Sequence, residues 1–357
     1  MLAVAMLVYG MFAVKQIPVD VFPDFAPVQV VVQTEAPGFA PEEVESLVTL
    51  PLETALNGTP NVKVVRSIST VGLSVVTLIF NDGRNVFTAR QLVAERLQSA
   101  RNKLPDGIEQ PVLMPITTAV GDILKVGMVS DTAATSLMDL RTIANWTVRM
   151  RLMSVAGVSN VVVYGGEQKQ YQVLVNPTAL KDYGLTLQQV IDATRQSNSN
   201  AAGGFLRTAD EEYLIRGIGR AASVDDISRT AISERNGLAV TIGNVAKVQV
   251  GPAFQIGDAI VNGKRGIILN VAKQPWANTL ETSYAVERAL KEMQTSFPKD
   301  VQLVYTFRQG DFIEVAIRNM IEALALGAIL VVVILFLFLQ NWRTVLISLT
   351  AIPLSLL

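Results

Sequence analysis

The sequence contains no cysteine and no histidine among its 357 residues. Without these side chains a zinc site of the usual ligand types cannot be built, and no disulfide can form. Lysine and arginine (30) nearly balance aspartate and glutamate (31), so a net charge of −1 gives no electrostatic basis for binding nucleic acid. Glycine-rich phosphate loops, nucleophile elbows and paired acid–base residues are also missing. These absences argue against an enzyme, and no cofactor is expected.

What the chain has in excess is apolar sequence, which makes up half of the residues, whereas charged residues make up 17%. A typical soluble domain carries about 25% charged residues. The apolar excess is concentrated in Met320–Leu339, which contains one acid, Glu322. At about 1.5 Å per residue this run covers the roughly 30 Å of a bilayer core. We therefore predict a transmembrane helix over residues 313–340, with a buried core helix as the alternative.

Two shorter apolar segments lie at the ends, residues 1–14 and 344–357. Each is interpreted as a partial transmembrane helix that the end of the chain interrupts. For residues 1–14 a cleaved signal peptide is the alternative, although the usual basic start is missing. Trp342 and Arg343 follow the long apolar run and favour a cytoplasmic loop under the positive-inside rule. The block between the two apolar ends is then expected outside the cytoplasm, in the periplasm of a Gram-negative cell.

Within this block an order of strands and helices occurs twice. The first unit is predicted as strand, helix, two strands, helix and strand, at Val28–Thr34, Pro41–Leu56, Val62–Ser67, Leu73–Phe80, Val86–Leu104 and Gln110–Leu113. The second unit is predicted with the same start and end, at Ile123–Val129, Ser136–Met153, Val158–Tyr164, Tyr171–Val175, Thr279–Phe297 and Val301–Phe307. Gly165 and Gly166 are interpreted as a hairpin turn. The repeated order predicts an α+β fold with two ferredoxin-like βαββαβ subdomains.

An insertion at residues 177–257 separates the halves of the second unit. It contains a predicted helix, Leu187–Gln196, and a polar, glycine-rich stretch, Asn198–Gly204. Long loops that project from a packed scaffold often carry partner contacts. A mobile surface loop is the alternative.

Carboxylates offer few candidate metal ligands. Asp20 and Asp24 are the best-spaced pair, but Pro18 and Pro23 favour a turn or cap role there. Glu322 is an acid within the main apolar run, where acids are costly and often functional. It also lies close enough to the predicted helix end to reach the headgroup region.

Methionine thioethers suit copper(I) and silver(I), since both metal and ligand are soft. Met150 and Met153 fall at i and i+3 on one helix face, and Met114 and Met128 stand alone in apolar contexts. A methionine on a buried stripe is usually a core residue. No metal ligand is therefore assigned from the sequence.

Four long strings resemble permeases of the resistance-nodulation-cell division superfamily, and specifically its heavy-metal efflux branch. They are Ile17–Asp24 (IPVDVFPD), Val28–Gly58 (VQVVVQTEAPGFAPEEVESLVTLPLETALNG), Gly157–Val190 (GVSNVVVYGGEQKQYQVLVNPTALKDYGLTLQQV) and Phe338–Arg343 (FLQNWR). Drug-exporting relatives share the architecture but usually lack Pro51-Leu52-Glu53 and the GGEQKQYQV segment in this form. The resemblance covers essentially the whole chain.

The resemblance implies two porter subdomains, residues 27–122 and residues 123–176 with 258–307, and a docking subdomain at residues 177–257. It also implies a homotrimer in the inner membrane that works with a periplasmic adaptor and an outer-membrane channel and is driven by proton influx. An arm that reaches a neighbouring subunit is implied at Asn200, Ala202, Gly203, Gly204 and Phe205. The family's proton relay and its methionine cluster lie on segments that this sequence does not contain.

The leading hypothesis is therefore a segment of a proton-driven tripartite exporter of heavy-metal cations. An exporter of drugs or other amphiphiles from the same superfamily is one alternative. A membrane-anchored interaction module that does not transport is another.

Overall fold

A computed structural model of the chain describes residues 9–10, 27–83, 85–101, 104–105, 107–116, 118, 120–197, 202–207, 212–216, 221–235, 237–255, 257–340, 342 and 345. The predicted terminal helices, residues 1–14 and 344–357, fall almost wholly outside these residues. Asp20, Asp24 and Asn200 lie outside them as well.

The first sheet is antiparallel, with strand order β2-β3-β1-β4. Its strands are β1 (Gln29–Glu35), β2 (Val62–Thr70), β3 (Leu73–Phe80) and β4 (Val112–Leu113). Two helices cover one face: α1, which runs as Pro41–Val44, Glu45–Thr49 and Leu50–Leu56, and α2 (Val86–Arg101). Alternate residues of the strands, such as Val30, Val32 and Leu78, are buried against these helices. The opposite face of β1 is therefore free to carry polar residues.

The second sheet has the order β6-β14-β5-β15. Its strands correspond in turn to β2, β3, β1 and β4, so the two sheets have the same spatial order. Its strands are β5 (Asp122–Ser130), β6 (Val158–Gly165), β14 (Lys264–Lys273) and β15 (Val301–Arg308), with the short β13 (Ala259–Val261) paired to the start of β14. Helices α3 (Leu137–Ile143, Ala144–Val148, Arg149–Met153) and α8 (Thr279–Met293) bury its core. The division of the chain into subdomains with separate roles stays a prediction.

The first helix of each unit, α1 and α3, buries apolar residues spaced four apart. In α1 these are Val44, Val48, Leu52 and Leu56, and in α3 they are Leu140, Ala144, Val148 and Leu152. On an ideal α-helix each step of four residues turns the side chain by about 40° beyond a full circle. Each helix contains one π turn, Glu45–Thr49 in α1 and Ala144–Val148 in α3. The extra residue of a π turn offsets this drift and keeps all four side chains on the core face.

Gly165 and Gly166 do not form a hairpin turn, so this prediction was wrong. Strand β6 pairs with β14, whereas β7 (Lys169–Val175) pairs with β12 (Ala246–Pro252) in a separate two-stranded sheet. Both glycines have positive φ (74° and 69°) and direct the chain from one sheet to the other. A Cβ at Gly165 would lie 2.7 Å from the Ala259 nitrogen and 2.8 Å from the Gly266 oxygen. Close packing of the backbone therefore requires glycine there.

Residues between β7 and β13 build a small unit of their own. Its helices are α4 (Pro177–Tyr183), α5 (Leu187–Gln196), α6 (Val224–Ser228) and α7 (Ile242–Val245), and its hairpins are β8 (Ala202–Arg207) with β9 (Glu212–Arg216) and β10 (Ala231–Arg235) with β11 (Leu238–Thr241). Ala193, Ile227, Ile242 and Ala246 form its core. Helix α5 has the bounds predicted from the sequence.

Helix α9 (Gln309–Leu339) follows β15 directly and is 31 residues long. It is the one helix in the described part of the chain that is long and apolar enough to cross a membrane. None of its most apolar window is buried against the rest of the protein, and Leu326 and Phe338 are 70% and 86% exposed. This exposure argues against a core helix.

The contact of Gly165 with β13 gives a test of the fold. Gly165→Ala should lower the free energy of unfolding by about 1–2 kcal/mol for the positive φ and by a further 1–3 kcal/mol or so for the overlap with Ala259 and Gly266. Gly184→Ala is the matched control, because Gly184 also has positive φ (66°) but open space around it. Denaturant unfolding of the purified chain in detergent measures both. Equal losses in the two variants would contradict the packing described.

Candidate functional site: a cleft between the two sheets

A cleft of about 980 Å³ separates the edge of the first sheet from helix α3 and strand β6 of the second. Side chains of β1 and of the β4 region form one wall, and those of α3 and β6 form the other. The walls come from different units of the repeat. The cleft therefore changes shape if the two sheets move relative to each other.

The wall from the first sheet is acidic. Gln33 and Glu35 lie on the face of β1 opposite the buried valines, and they line the cleft together with Glu109. The Glu109 amide donates a hydrogen bond to the Glu35 carbonyl (2.9 Å), which holds the two residues side by side. Neither carboxylate forms an ion pair with any other residue that the structure describes. Both remain available to a cation.

The opposite wall is basic and belongs to α3. Arg141, Asn145 and Arg149 are spaced four apart and line the cleft. Arg141 Nη1 donates to the Gly165 carbonyl (2.6 Å), and Arg149 Nε donates to the Val161 carbonyl (3.0 Å). Among the strands that the structure describes, β6 pairs with β14 alone, so these arginines satisfy carbonyls along its other edge.

The surroundings of Arg141 in the cleft disfavour its positive charge. Its burial, and secondly the charge of Arg149, lower the pKa of Arg141 from its ordinary value. Its Nε is buried without a hydrogen-bond partner among the described residues. An arginine remains charged at any physiological pH despite such a shift, so this wall keeps two positive charges.

The structure separates the four candidate methionines. Met128 is fully buried in the core of the second sheet, as a core residue should be. Met114 lines the cleft. Met150 and Met153 are 61% and 41% exposed, so the interpretation as buried core residues is wrong for this pair. The four buried apolar residues of α3 face the core, and Met150 and Met153 lie on other faces of the helix, toward solvent.

The other predicted site residues lie away from the cleft. Ala202, Gly203, Gly204 and Phe205 belong to β8, in the insertion. Ala202 and Phe205 pair with β9, and the two glycines lie at an irregularity between them. Glu322 is exposed on α9, about three and a half turns after the start of the helix. Among the described residues no group of three or more acidic side chains could hold a metal ion.

Sequence reasoning missed the charged residues of the cleft. Two groups of them leave a signal in the sequence. Gln33 and Glu35 break the apolar pattern of β1 at alternate positions, and Arg141, Asn145 and Arg149 recur every fourth residue. Their convergence depends on how two units pack, which no local pattern shows.

Two like sheets with a cleft between them, followed by an exposed helix long and apolar enough to cross a membrane, define a mixed α/β chain with a candidate membrane span. The chain belongs to the AcrB/AcrD/AcrF family, whose sequence model matches residues 1–357. This confirms the resemblance to the efflux permeases.

The similar proteins are named for cation efflux, and a similar solved structure is named for heavy-metal efflux. The chain is 38% identical over 355 residues to the cation efflux system protein CzcA of Alcaligenes sp. (strain CT14), covering 98% of this chain and 33% of that protein. It is 35% identical over 356 residues to the cation efflux system protein CusA of Escherichia coli (strain K12), covering 99% and 34%. A crystal structure of a heavy metal efflux pump matches with a TM-score of 0.89 and 30% identity, covering 99% of this chain and 35% of the other. The chain thus spans about a third of these relatives.

Single thiols test whether the cleft is open. Because the chain has no cysteine, Met150→Cys, Met114→Cys and Met128→Cys each carry one reporter. Maleimide should label position 150 fastest and position 114 more slowly. Position 128 should react more than about a hundredfold slower than position 150, since labelling there requires local unfolding. If positions 114 and 128 react at the same rate in purified protein, the cleft is closed and the proposal built on it fails.

Proposed function

We propose that this chain is part of an inner-membrane transporter that exports heavy-metal cations. The observation that carries the proposal is the match over almost the whole chain to proteins named as cation efflux systems and to a heavy metal efflux pump. Such relatives are transporters, not enzymes in the usual sense.

The proposed arrangement in the membrane follows from α9. Its exposed apolar surface lies in lipid, and the two sheets and the insertion lie in the periplasm. Residues 27–122 and residues 123–176 with 258–307 act as porter subdomains that rock as rigid bodies, and residues 177–257 act as the docking subdomain. This division agrees with the three separate hydrophobic cores.

The proposed assembly is a proton-driven homotrimer that works with a periplasmic adaptor and an outer-membrane channel. The hairpin β8–β9 supports a contact between subunits, because its two short strands pair with each other and with no other strand that the structure describes. Asn200, Ala202, Gly203, Gly204 and Phe205 are the residues proposed for that contact.

The cleft is the proposed path for cations through this part of the transporter. Glu35 and Glu109 offer unpaired carboxylates, which attract divalent cations and raise their local concentration. Fewer than three acidic ligands come together in the described cleft, so a cation meets the wall without being held tightly. This arrangement favours passage of a cation over storage.

Metal tolerance is the direct test. A transporter that contains this chain, expressed in a metal-sensitive host, should raise tolerance to at least one of copper, silver, zinc, cobalt and nickel. Growth at graded metal concentrations and the cellular metal content measure the effect. Unchanged tolerance to all five, with raised tolerance to dyes or detergents, would favour the amphiphile exporter. Unchanged tolerance to every compound would favour the interaction module.

The acidic wall makes a second prediction. The double variant Glu35→Gln, Glu109→Gln should slow export of a divalent cation by about tenfold at low ionic strength, because it removes the attracting charge. The deficit should shrink as salt screens the wild-type charge. Glu95→Gln is the control, since Glu95 is exposed on α2 and does not line the cleft. Equal effects of the two changes on initial rates in proteoliposomes would rule out a role for the wall.

A further inference from the structure

The junction between β15 and α9 has no loop. Arg308 is both the last residue of β15 and the residue before the first turn of α9. Strand β15 is an edge strand that pairs with β5, where Arg308 faces Leu124. The direction of α9 is therefore determined within one or two residues of the second sheet.

Arg308 is the centre of a set of polar side chains that we call the joint cluster: Tyr284 and Glu287 on α8, Arg308, and Asp311 and Glu314 on α9. Arg308 forms ion pairs with Glu287, with Asp311 (2.5 Å) and with Glu314 (3.1 Å). Its guanidinium lies over the Tyr284 ring, 5.4 Å from the ring centre. Tyr284 Oη donates a hydrogen bond to Glu314 Oε1 (2.7 Å). The cluster thus connects three elements.

The ion pairs of Arg308 with Glu287 and Glu314 are partly shielded from solvent, whereas Asp311 is 62% exposed. The Arg308 side chain is only 19% exposed, and those of Glu287 and Glu314 are 26% and 32% exposed. Burial alone lowers the pKa of Arg308, but hydrogen bonds to Glu287 and Asp311 and the nearby carboxylates raise it overall. The hydrogen bond donated to Glu314 is the main cause that raises the pKa of Tyr284. Asp311 also lies in the first turn of α9, where the helix dipole favours negative charge.

We propose that Arg308 is a positioning residue for transport, which makes the joint between α9 and the second sheet rigid. This inference rests on the proposed function. A movement of α9 is then passed to β15 and through β5 and β14 to β6, which lines the cleft. Without the cluster the joint bends, and the same movement of α9 does not reach β6.

The length of α9 shows why rigidity matters. Its 31 residues extend about 46 Å at 1.5 Å per residue. A free rotation of about 10° at the joint corresponds to about 8 Å at the far end over that length. A flexible joint therefore uncouples the membrane segment from the cleft.

The test compares Arg308→Gln with Arg288→Gln in a transporter that contains this chain. Arg288 is the matched control, because it lies on α8, lines the same cavity beside the cluster and is exposed. No ion pair of Arg288 is formed with the described residues. Spin labels at positions 291 on α8 and 318 on α9, both exposed and outside the cluster, report the angle between the helices.

The expected result combines two readouts. Arg308→Gln should broaden the distance distribution between the labels, and it should lower the turnover number for metal export about tenfold with KM unchanged. Arg288→Gln should change neither quantity. In Arg308→Gln, joining Tyr284→Cys on α8 to Glu314→Cys on α9 with a short bifunctional thiol reagent should restore turnover, because the bridge replaces the lost contacts.

Three outcomes would overturn the proposal: a narrow distribution in Arg308→Gln, a broad distribution with normal turnover, or an unchanged deficit after cross-linking. If Arg308→Gln does not fold, Tyr284→Phe and Glu314→Gln take its place. Unchanged label distances in both variants would also overturn the proposal. A wild-type transporter that exports no metal would refute the proposed function, while the label distances would still decide whether the joint is rigid.

Discussion

The apolar surface of α9 is the constraint on which the rest of the structure depends. None of its apolar window is covered by the described parts of the protein, and exposing such a surface to water is costly in proportion to its area. In the proposed arrangement lipid covers that surface. The helix follows β15 without a loop, so its direction and that of β15 are linked. The second sheet is built outward from β15 through β5 and β14 to β6. The position of the cleft relative to the membrane therefore follows from a single junction.

In each unit, one sheet with two helices buries only one face of the sheet. In each unit the helices cover the apolar face, and the polar face or the edge remains available. The cleft lies where the polar face of β1 meets the edge strand β6 and helix α3. The π turns contribute to this geometry, since they keep the apolar stripe of α3 on the core and leave Arg141, Asn145 and Arg149 on the cleft side. The packing that buries the apolar residues of α3 therefore also places its charged residues on the cleft.

The repeat made much of the fold predictable from the sequence, because period-two and four-residue apolar patterns are local signals. The observed bounds of β3 and α5 equal the predicted ones. The hairpin at Gly165 and Gly166 failed because the partner of β7 is β12, more than seventy residues further along the chain, and a glycine pair looks the same whether it turns a hairpin or lets backbones approach. The charged walls were missed for a similar reason. Glu35 and Arg141 are distant in sequence and share a cleft only after two cores have formed.

The charges of the cleft explain why opposite walls do not neutralise each other. Arg141 and Arg149 each donate to a carbonyl of β6, so reaching across the cleft would break that bond and leave an edge carbonyl unsatisfied, at a cost of about 1–3 kcal/mol. An exposed ion pair formed in exchange contributes about 0–1 kcal/mol. The arginines therefore stay on their own wall, and Glu35 and Glu109 form no ion pair with the described residues. A wall of such carboxylates beside a fixed basic wall attracts a cation on one side and repels it from the other, which supports the proposed path along the acidic side.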